Sequence, residues 1–251
     1  MRKFGLIGYP LEHAYSHKYF AEKFKKDGIT DAKYELFSIS EIAKIKNIIA
    51  SHPKLVGLNV TTPYKELVIP FLDDMDKTIL KLGTVNTVKI FRNGEGYRLK
   101  GFNTDVAGLE KTFDQLKITP ETKALILGSG GSGKTLSYVL DNRGIASKNV
   151  SRNPSNLQQI SYKKLNKSIF EEYKLIINAS PVGMFPNIKQ APDISYNFIT
   201  EEHICIDLVY NPAETMFLNL CRQNGAKTVN GLTMLYEQAD KAWEIWNSDE
   251  C

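Results

Sequence analysis

The sequence predicts an α/β protein of two units: a βα unit with a mostly parallel sheet, then a second unit built around a glycine-rich phosphate-binding turn. Three observations carry this. Apolar runs at 3–8, 34–39 and 55–60 alternate with helix-periodic segments at 16–26, 41–50 and 64–72, and strands joined through helices build parallel sheets. The pair Asn93-Gly94 stands between two further strand-like runs, 84–91 and 97–101, where an antiparallel hairpin would turn. An apolar strand from Lys123 then runs into Gly128-Ser129-Gly130-Gly131-Ser132-Gly133 and a helix over 135–140.

In chain order, Tyr19, Phe20 and Phe24 share one face of the helix 16–26, which Gly28 ends. Ser40 is the expected cap of 41–50. Strand 55–60 leads directly into Thr61-Thr62-Pro63. The hairpin closes the first unit near residue 101. Helix 103–116, with Val106, Leu109 and Phe113 inward, bridges to the second unit, and Pro120 breaks the chain before the glycine-loop strand. Beyond it lies a polar, lysine-rich stretch, 153–173, too short for a full βα repeat. Strands at 174–178, 203–208 and Lys227–Val229 follow, with helices at 213–223 and 232–246.

The 251 residues, 42% hydrophobic, suffice for two cores. A net charge of +4 with scattered Lys and Arg argues against a nucleic-acid partner and suits small anions. No apolar run approaches the ~18 residues of a membrane span, and no leader h-region is evident, so the chain is expected to be unprocessed and not membrane-bound. Cys205, Cys221 and Cys251 show no metal-ligand spacing. Free thiols in a reducing cytoplasm, and no metal, are expected.

Gly128, Gly130 and Gly133 fit G-x-G-x-x-G, the dinucleotide turn in which glycines let backbone approach a pyrophosphate at a helix N-terminus. Gly128 to Thr135 equally fit G-x-x-x-x-G-K-[ST], so a kinase or NTPase using Lys134, Thr135 and a magnesium acid at Asp207 stays open. About 20 residues on, where a dinucleotide fold puts its ribose acid, stand Ser151-Arg152-Asn153. An Arg without an acid beside it suits the 2′-phosphate of NADP.

Ligands in open α/β sheets sit beyond the carboxyl ends of strands. Here those ends offer Ser16, Asn59, Thr61, Lys65, Asn86, Thr87, Asn103 and Asp105, a set of amides, hydroxyls, one ammonium and one carboxylate fit for a polyhydroxylated acid.

Eight segments in order resemble the shikimate dehydrogenases, NADP-dependent oxidoreductases of aromatic amino-acid biosynthesis. They are Gly8-Tyr9-Pro10 with His13 and Ser16; Asn59 to Lys65; Val85-Asn86-Thr87; Gly101 to Asp105; the glycine loop; Asn178 to Met184; Asp207 to Tyr210 with Pro212; and Asn230 to Leu235 with Gln238-Ala239. The resemblance spans nearly the whole chain. It implies a substrate-binding catalytic domain of 1–102 with 232–251, a Rossmann-like NADP-binding domain of 103–231, and an active site in the cleft between them.

By the same resemblance Lys65 and Asp105 are the catalytic pair. Ser16, Asn59, Thr61, Asn86, Tyr210 and Gln238 contact shikimate or 3-dehydroshikimate. NADP is held by Gly128, Ser129, Gly130, Gly131, Ser132, Gly133, Ser151, Arg152, Asn153, Ser180, Val209, Gly231 and Met234. Hydride transfer needs a proton carrier for the alcohol oxygen. Lys65 is that candidate, although an ordinary lysine holds its proton at neutral pH; Asp105 would orient it and share the proton. A monomer or homodimer is expected, and a non-catalytic NADP-binding homologue is the other alternative.

Three departures qualify the match. The family's first substrate motif carries two serines separated by one residue, and here the first is Ala14; losing a hydrogen bond to a charged group costs about 1.5–3 kcal/mol, so weaker shikimate affinity or a shifted substrate, quinate included, is expected. A second Arg after Arg152 is missing, which leaves NADP over NAD selectivity modest. Lys134 and Thr135 are unusual in the family's loop.

Overall fold

The structure, a computed structural model, describes residues 1–12, 14–94 and 96–248. His13 of the first motif, Glu95 of the hairpin and Cys251 lie outside them.

The chain divides into one unit of Met1–Thr104 with Gln238–Cys251 and another of Asp105–Glu237. The first contains β1 (Arg2–Gly8), α1 (Ser16–Lys26), β2 (Ala32–Ser38), α2 (Ile45–Ser51), β3 (Leu55–Val60), α3 (Tyr64–Leu67), β4 (Asp74–Met75), α4 (Lys77–Leu82), β5 (Thr87–Asn93) and β6 (Gly96–Phe102). Its sheet runs β2-β1-β3-β5-β6-β4. Strands β1, β2 and β3 are parallel, and β5 pairs antiparallel with both β3 and β6.

The second unit contains α5 (Asp105–Leu116), β7 (Ala124–Leu127), α6 (Gly131–Asn142), β8 (Ser147–Ser151), β9 (Gln159–Ser161), α7 (Lys167–Glu172), β10 (Leu175–Asn178), β11 (Ile204–Asp207), α8 (Met216–Gln223) and β12 (Lys227–Val229). Its sheet, β12-β11-β10-β7-β8-β9, is parallel at every pairing, with order reversing at β7. That reversal is the switch point at which such sheets bind ligands. The last helix, α9 (Leu232–Asn247), starts in the second unit and ends in the first.

Core faces explain most elements. Phe20 and Phe24, one helical turn apart, bury α1 against Phe4, Ala239, Ala242 and Trp246. Gly57 on β3 leaves the space that the Trp246 indole fills, and the indole N–H donates to Val88 O at 3.1 Å. In the second unit the β7 and β10 residues are all buried, as a sheet covered on both faces requires.

Several boundaries differ from the sequence reading. The unit division falls at Thr104/Asp105 and within α9, not at its start, because Met234 packs on Gly108 of α5. The expected helix 41–50 is a 3-10 turn, Ile42–Lys44, followed by α2; Ser40 accepts from Lys44 Nζ at 2.8 Å instead of capping. The helix 64–72 stops at Leu67 and passes into a 3-10 turn, Ile69–Phe71, since Pro70 has no N–H to continue it. Segment 153–173 does hold a short βα repeat, β9 and α7, with Asn166 capping Ile169 N at 3.2 Å. Helix α4 is an element beyond the sequence-predicted ones: Asp76 caps Thr78 N and Gly83 ends it at φ 64. In the hairpin Asn93 pairs with Gly96, so the turn is one residue later than the Asn-Gly pair.

His203 joins the second unit's elements. It is fully enclosed: Nδ1 accepts from Thr200 N at 3.0 Å and Nε2 faces Phe170 O at 2.9 Å. Burial lowers its pKa against the raising effect of the Phe170 carbonyl. A lowered folded pKa means the unfolded chain takes the proton more readily, so stability is full above about 6.5 and falls as pH drops below it. Asp207, raised by burial, acts in the opposite sense. Replacing His203 with Gln isolates the effect: the thermal midpoint of the wild type should fall more steeply between about pH 8 and 5 than that of the variant. Equal slopes would remove His203 from the account.

Candidate functional site

In the first unit Asn59, Asn86, Thr87 and Gln238 belong to one hydrogen-bonded set with Thr104. Asn59, 5% exposed at the end of β3, donates from Nδ2 to Thr87 Oγ1 at 3.2 Å and to Asn86 O at 3.4 Å. Asn86 Oδ1 accepts from Thr104 N at 2.7 Å, and its Nδ2 donates to Thr104 Oγ1 at 3.0 Å and Gln238 Oε1 at 3.4 Å. Strand ends and the inbound part of α9 thus meet at Asn86. A sheet interior has no use for this many amides unless they are mutually satisfied or face a ligand.

Tyr34 was not singled out from the sequence, where it is one aromatic among many in a strand. Its hydroxyl donates to Asn59 Oδ1 at 2.7 Å, and Ser16 lies near enough to lower its pKa against the larger effect of burial. Burial pushes its phenol well above the usual range, so it stays neutral and keeps its proton to donate. The chain Tyr34, Asn59, Asn86, Gln238 is therefore continuous, with Ser16 beside its first member.

Lys65 sits half-buried on α3. Its backbone is pinned: Val85 N donates to Lys65 O at 2.7 Å, and neighbouring Tyr64 donates its hydroxyl to Ile39 O at 2.5 Å. Thr61, just before α3, donates its N–H to Ile7 O at 2.9 Å and accepts from Tyr64 N at 2.9 Å, joining the ends of β1 and β3. Ala14 precedes α1, and its carbonyl faces His17 Nδ1 at 2.9 Å.

In the second unit the glycine loop connects β7 to α6. Gly128, at φ 129, lies so close to the turn after β10 that a Cβ would be 3.2 Å from Ala179 and 3.3 Å from Ser180 N. Gly130 caps α6 without a side-chain bond, so first-turn N–H groups are presented with no capping oxygen. Ser129 Oγ donates to Ser151 Oγ at 3.3 Å, and Ser151 Oγ accepts from Asn153 N at 3.2 Å; Arg152 between them is exposed. Gly131 and Ser132 are half-buried and Gly133 buried. At the other end, Gly231 N donates to Val209 O at 3.4 Å, and Gly231 has no room for a Cβ beside Leu208 O. Met234 follows on α9, and Tyr210 is half-buried after β11. The cradle of bare N–H groups and missing Cβ atoms fits a pyrophosphate, with Arg152 placed for a further phosphate.

The kinase alternative fails on its own residues. Thr135, 1% exposed, donates its hydroxyl back to Gly131 O at 3.1 Å. Asp207, the acid that the kinase reading gives to magnesium, stands at a strand end but is fully enclosed; its oxygens accept from Asn178, Val209 and Thr215, and burial lifts its pKa to about 6. Both side chains are enclosed and turned to partners within the protein instead of standing open to an ion. Among the described residues no group of three His, Cys, Asp or Glu could hold a metal, and no helix is long and apolar enough to cross a membrane. Cys205 and Cys221 are buried free thiols.

The family model described as the shikimate dehydrogenase substrate binding domain matches residues 6–88. A shikimate dehydrogenase (NADP+) of Clostridium perfringens is 38% identical over 261 residues, covering 98% of this chain and 93% of that protein. One from Methanosphaera stadtmanae is 34% identical over 260 residues, covering 96% and 90%. The crystal structure of shikimate dehydrogenase 1 from Peptoclostridium difficile matches with a TM-score of 0.86 at 35% identity, covering all of this chain and 93% of that one. The Thermus thermophilus enzyme, in complex with NADP(H) and shikimate, matches at 0.85 with 29% identity, covering 98% and 94%.

Proposed function

The chain belongs to the shikimate dehydrogenase family and catalyses the reversible NADP-dependent oxidoreduction of shikimate and 3-dehydroshikimate, and we propose that Lys65 carries the proton of that reaction with Asp105 as its carboxylate partner. The observation that carries the reading is the continuous set from Tyr34 through Asn59 and Asn86 to Gln238, with Ser16 beside Tyr34. Such a ring of fixed donors and acceptors matches a small acid with several hydroxyls.

Ser16 binds the substrate carboxylate; Tyr34, whose one proton goes to Asn59 Oδ1, acts behind it by fixing Asn59. Asn59, Thr61, Asn86, Gln238 and Tyr210 hold the ring hydroxyls. NADP, when bound, supplies the hydride acceptor or donor. Gly128 to Gly133 present backbone N–H groups to its pyrophosphate, Ser151, Arg152 and Asn153 take the adenosine phosphate, and Ser180, Val209, Gly231 and Met234 line the nicotinamide end. Lys65 moves the proton at the alcohol oxygen, donating it in reduction and accepting it in oxidation. Asp105, 5% exposed at the first turn of α5, orients the amine. The active form is a monomer or homodimer, and the buried thiols suit a reducing cytoplasm.

Incubating the protein with shikimate and NADP+ should give the absorbance of reduced nicotinamide; no signal above a Lys65→Ala control would leave only the non-catalytic alternative. Arg152→Gln should raise the KM for NADP+ by about 10–100-fold, the loss of one charge-assisted bond, with little change for NAD+. An equal effect on both cofactors would take Arg152 off the phosphate.

A further inference from the structure

Asn178 and Asp207 face each other across the second sheet. They are register partners closing β10 and β11, neither is exposed at all, and Asn178 Nδ2 donates to Asp207 Oδ1 at 3.0 Å. Each side chain makes the same local bend. Asn178 Oδ1 accepts from Ser180 N at 3.1 Å and from Ser180 Oγ at 2.7 Å, while Asp207 Oδ1 accepts from Val209 N at 2.9 Å. Capturing the N–H two residues on turns the chain sharply as it leaves the strand.

The carboxylate's second oxygen reaches further. Oδ2 accepts from Thr215 Oγ1 at 2.6 Å, and that hydroxyl, the N-cap of α8, accepts from Leu218 N at 3.3 Å. Asn178 Nδ2 also donates to Val182 O at 3.2 Å. One buried charge thus sets the exits of two adjacent strands and the start of the next helix. A carboxylate is costly to bury and is tolerated here because three donors converge on it. A core that needed only filling would have used an apolar side chain at this place.

We propose that Asp207 is a positioning residue for the cofactor, holding the turns at 178–182 and 207–209 so that Ser180 and Val209 are aimed at the nicotinamide end of NADP. The inference rests on reading those two residues as cofactor contacts. It makes Asp207 act through geometry. A carboxamide at 207 could keep it, its oxygen taking the Asn178 and Val209 donors and its NH2 group turning to the Thr215 hydroxyl.

The test is calorimetric titration of NADP+ into the wild type, Asp207→Ala and Asp207→Asn, alongside steady-state KM values for shikimate. Asp207→Ala should raise the dissociation constant for NADP+ at least about tenfold and leave the shikimate KM within about twofold. Asp207→Asn should return the NADP+ constant to within about threefold of wild type. Wild-type affinity in Asp207→Ala, no recovery in Asp207→Asn, or equal losses for substrate and cofactor would each overturn the proposal. If Asp207→Ala does not fold, Thr215→Val removes one donor only and should weaken NADP+ binding severalfold; unchanged binding would count as the same refutation. Failure of the wild type itself to bind NADP+ would strike the assignment of the cofactor contacts, not the positioning role.

Discussion

Replacing Lys65 with Met is expected to lower kcat by about 10²–10⁴-fold, the range that a positioned acid–base group contributes. The substitution removes the amine and little else. Val85 N still reaches the carbonyl of residue 65, and Tyr64 still anchors α3 to Ile39. Since the side chain is only half-buried and Met is a good helix former, the thermal midpoint should stay within a few degrees of wild type. The KM for NADP+ should not move, because the glycine loop is untouched. Measuring kcat, both KM values and the midpoint on one preparation decides it. A kcat within tenfold of wild type would mean that another group moves the proton, and a collapsed midpoint would mean that the variant reports folding instead of chemistry.

Much of this site was legible because its chemistry is local in sequence. The glycine loop declares itself in six consecutive residues, and Asn59, Thr61 and Lys65 all fall at or just beyond the end of one strand. Tyr34 was illegible for the converse reason: nothing in the run around it separates a tyrosine packed on Phe20, with ring centroids 4.3 Å apart, from one whose hydroxyl meets Asn59. Only the parallel pairing of β1 with both β2 and β3 brings Tyr34 and Asn59 together. The surroundings of Asp207 are hidden from the sequence for the same reason. Its place at a strand end was readable, but its enclosure depends on Thr215, which returns eight residues later to take its second oxygen. Element ends are hard to read where one residue cuts a helix short, as Pro70 does α3, and where a helix is too short to show a period, as in α4 between Asp76 and Gly83.

Gly130 and Gly133 should fail in different ways, and the contrast separates space kept for a ligand from space needed by the fold. A Cβ at Gly133 would lie 2.5 Å from Gly128 O and 3.4 Å from Asn149 Nδ2. Asn149 already donates to that carbonyl at 3.2 Å and accepts from Ser137 at 2.9 Å, so the loop cannot give way cheaply. Gly133→Val is therefore overpacked and should lose about 1–3 kcal/mol of stability, roughly 2–4 °C of thermal midpoint for each kcal/mol in a chain of this size. Its displaced loop should also raise the KM for NADP+ by at least about tenfold, the worth of one charge-assisted bond. At Gly130 a Cβ meets nothing within 4 Å. Gly130→Ala should consequently keep the midpoint of the cofactor-free protein, yet weaken NADP+ binding by about tenfold or more, because the methyl occupies the approach that the bare N–H groups leave to a pyrophosphate. Thermal melts without cofactor and titrations with NADP+ on both variants separate the two effects. Normal NADP+ affinity in Gly130→Ala would show that the pyrophosphate does not lie against this turn.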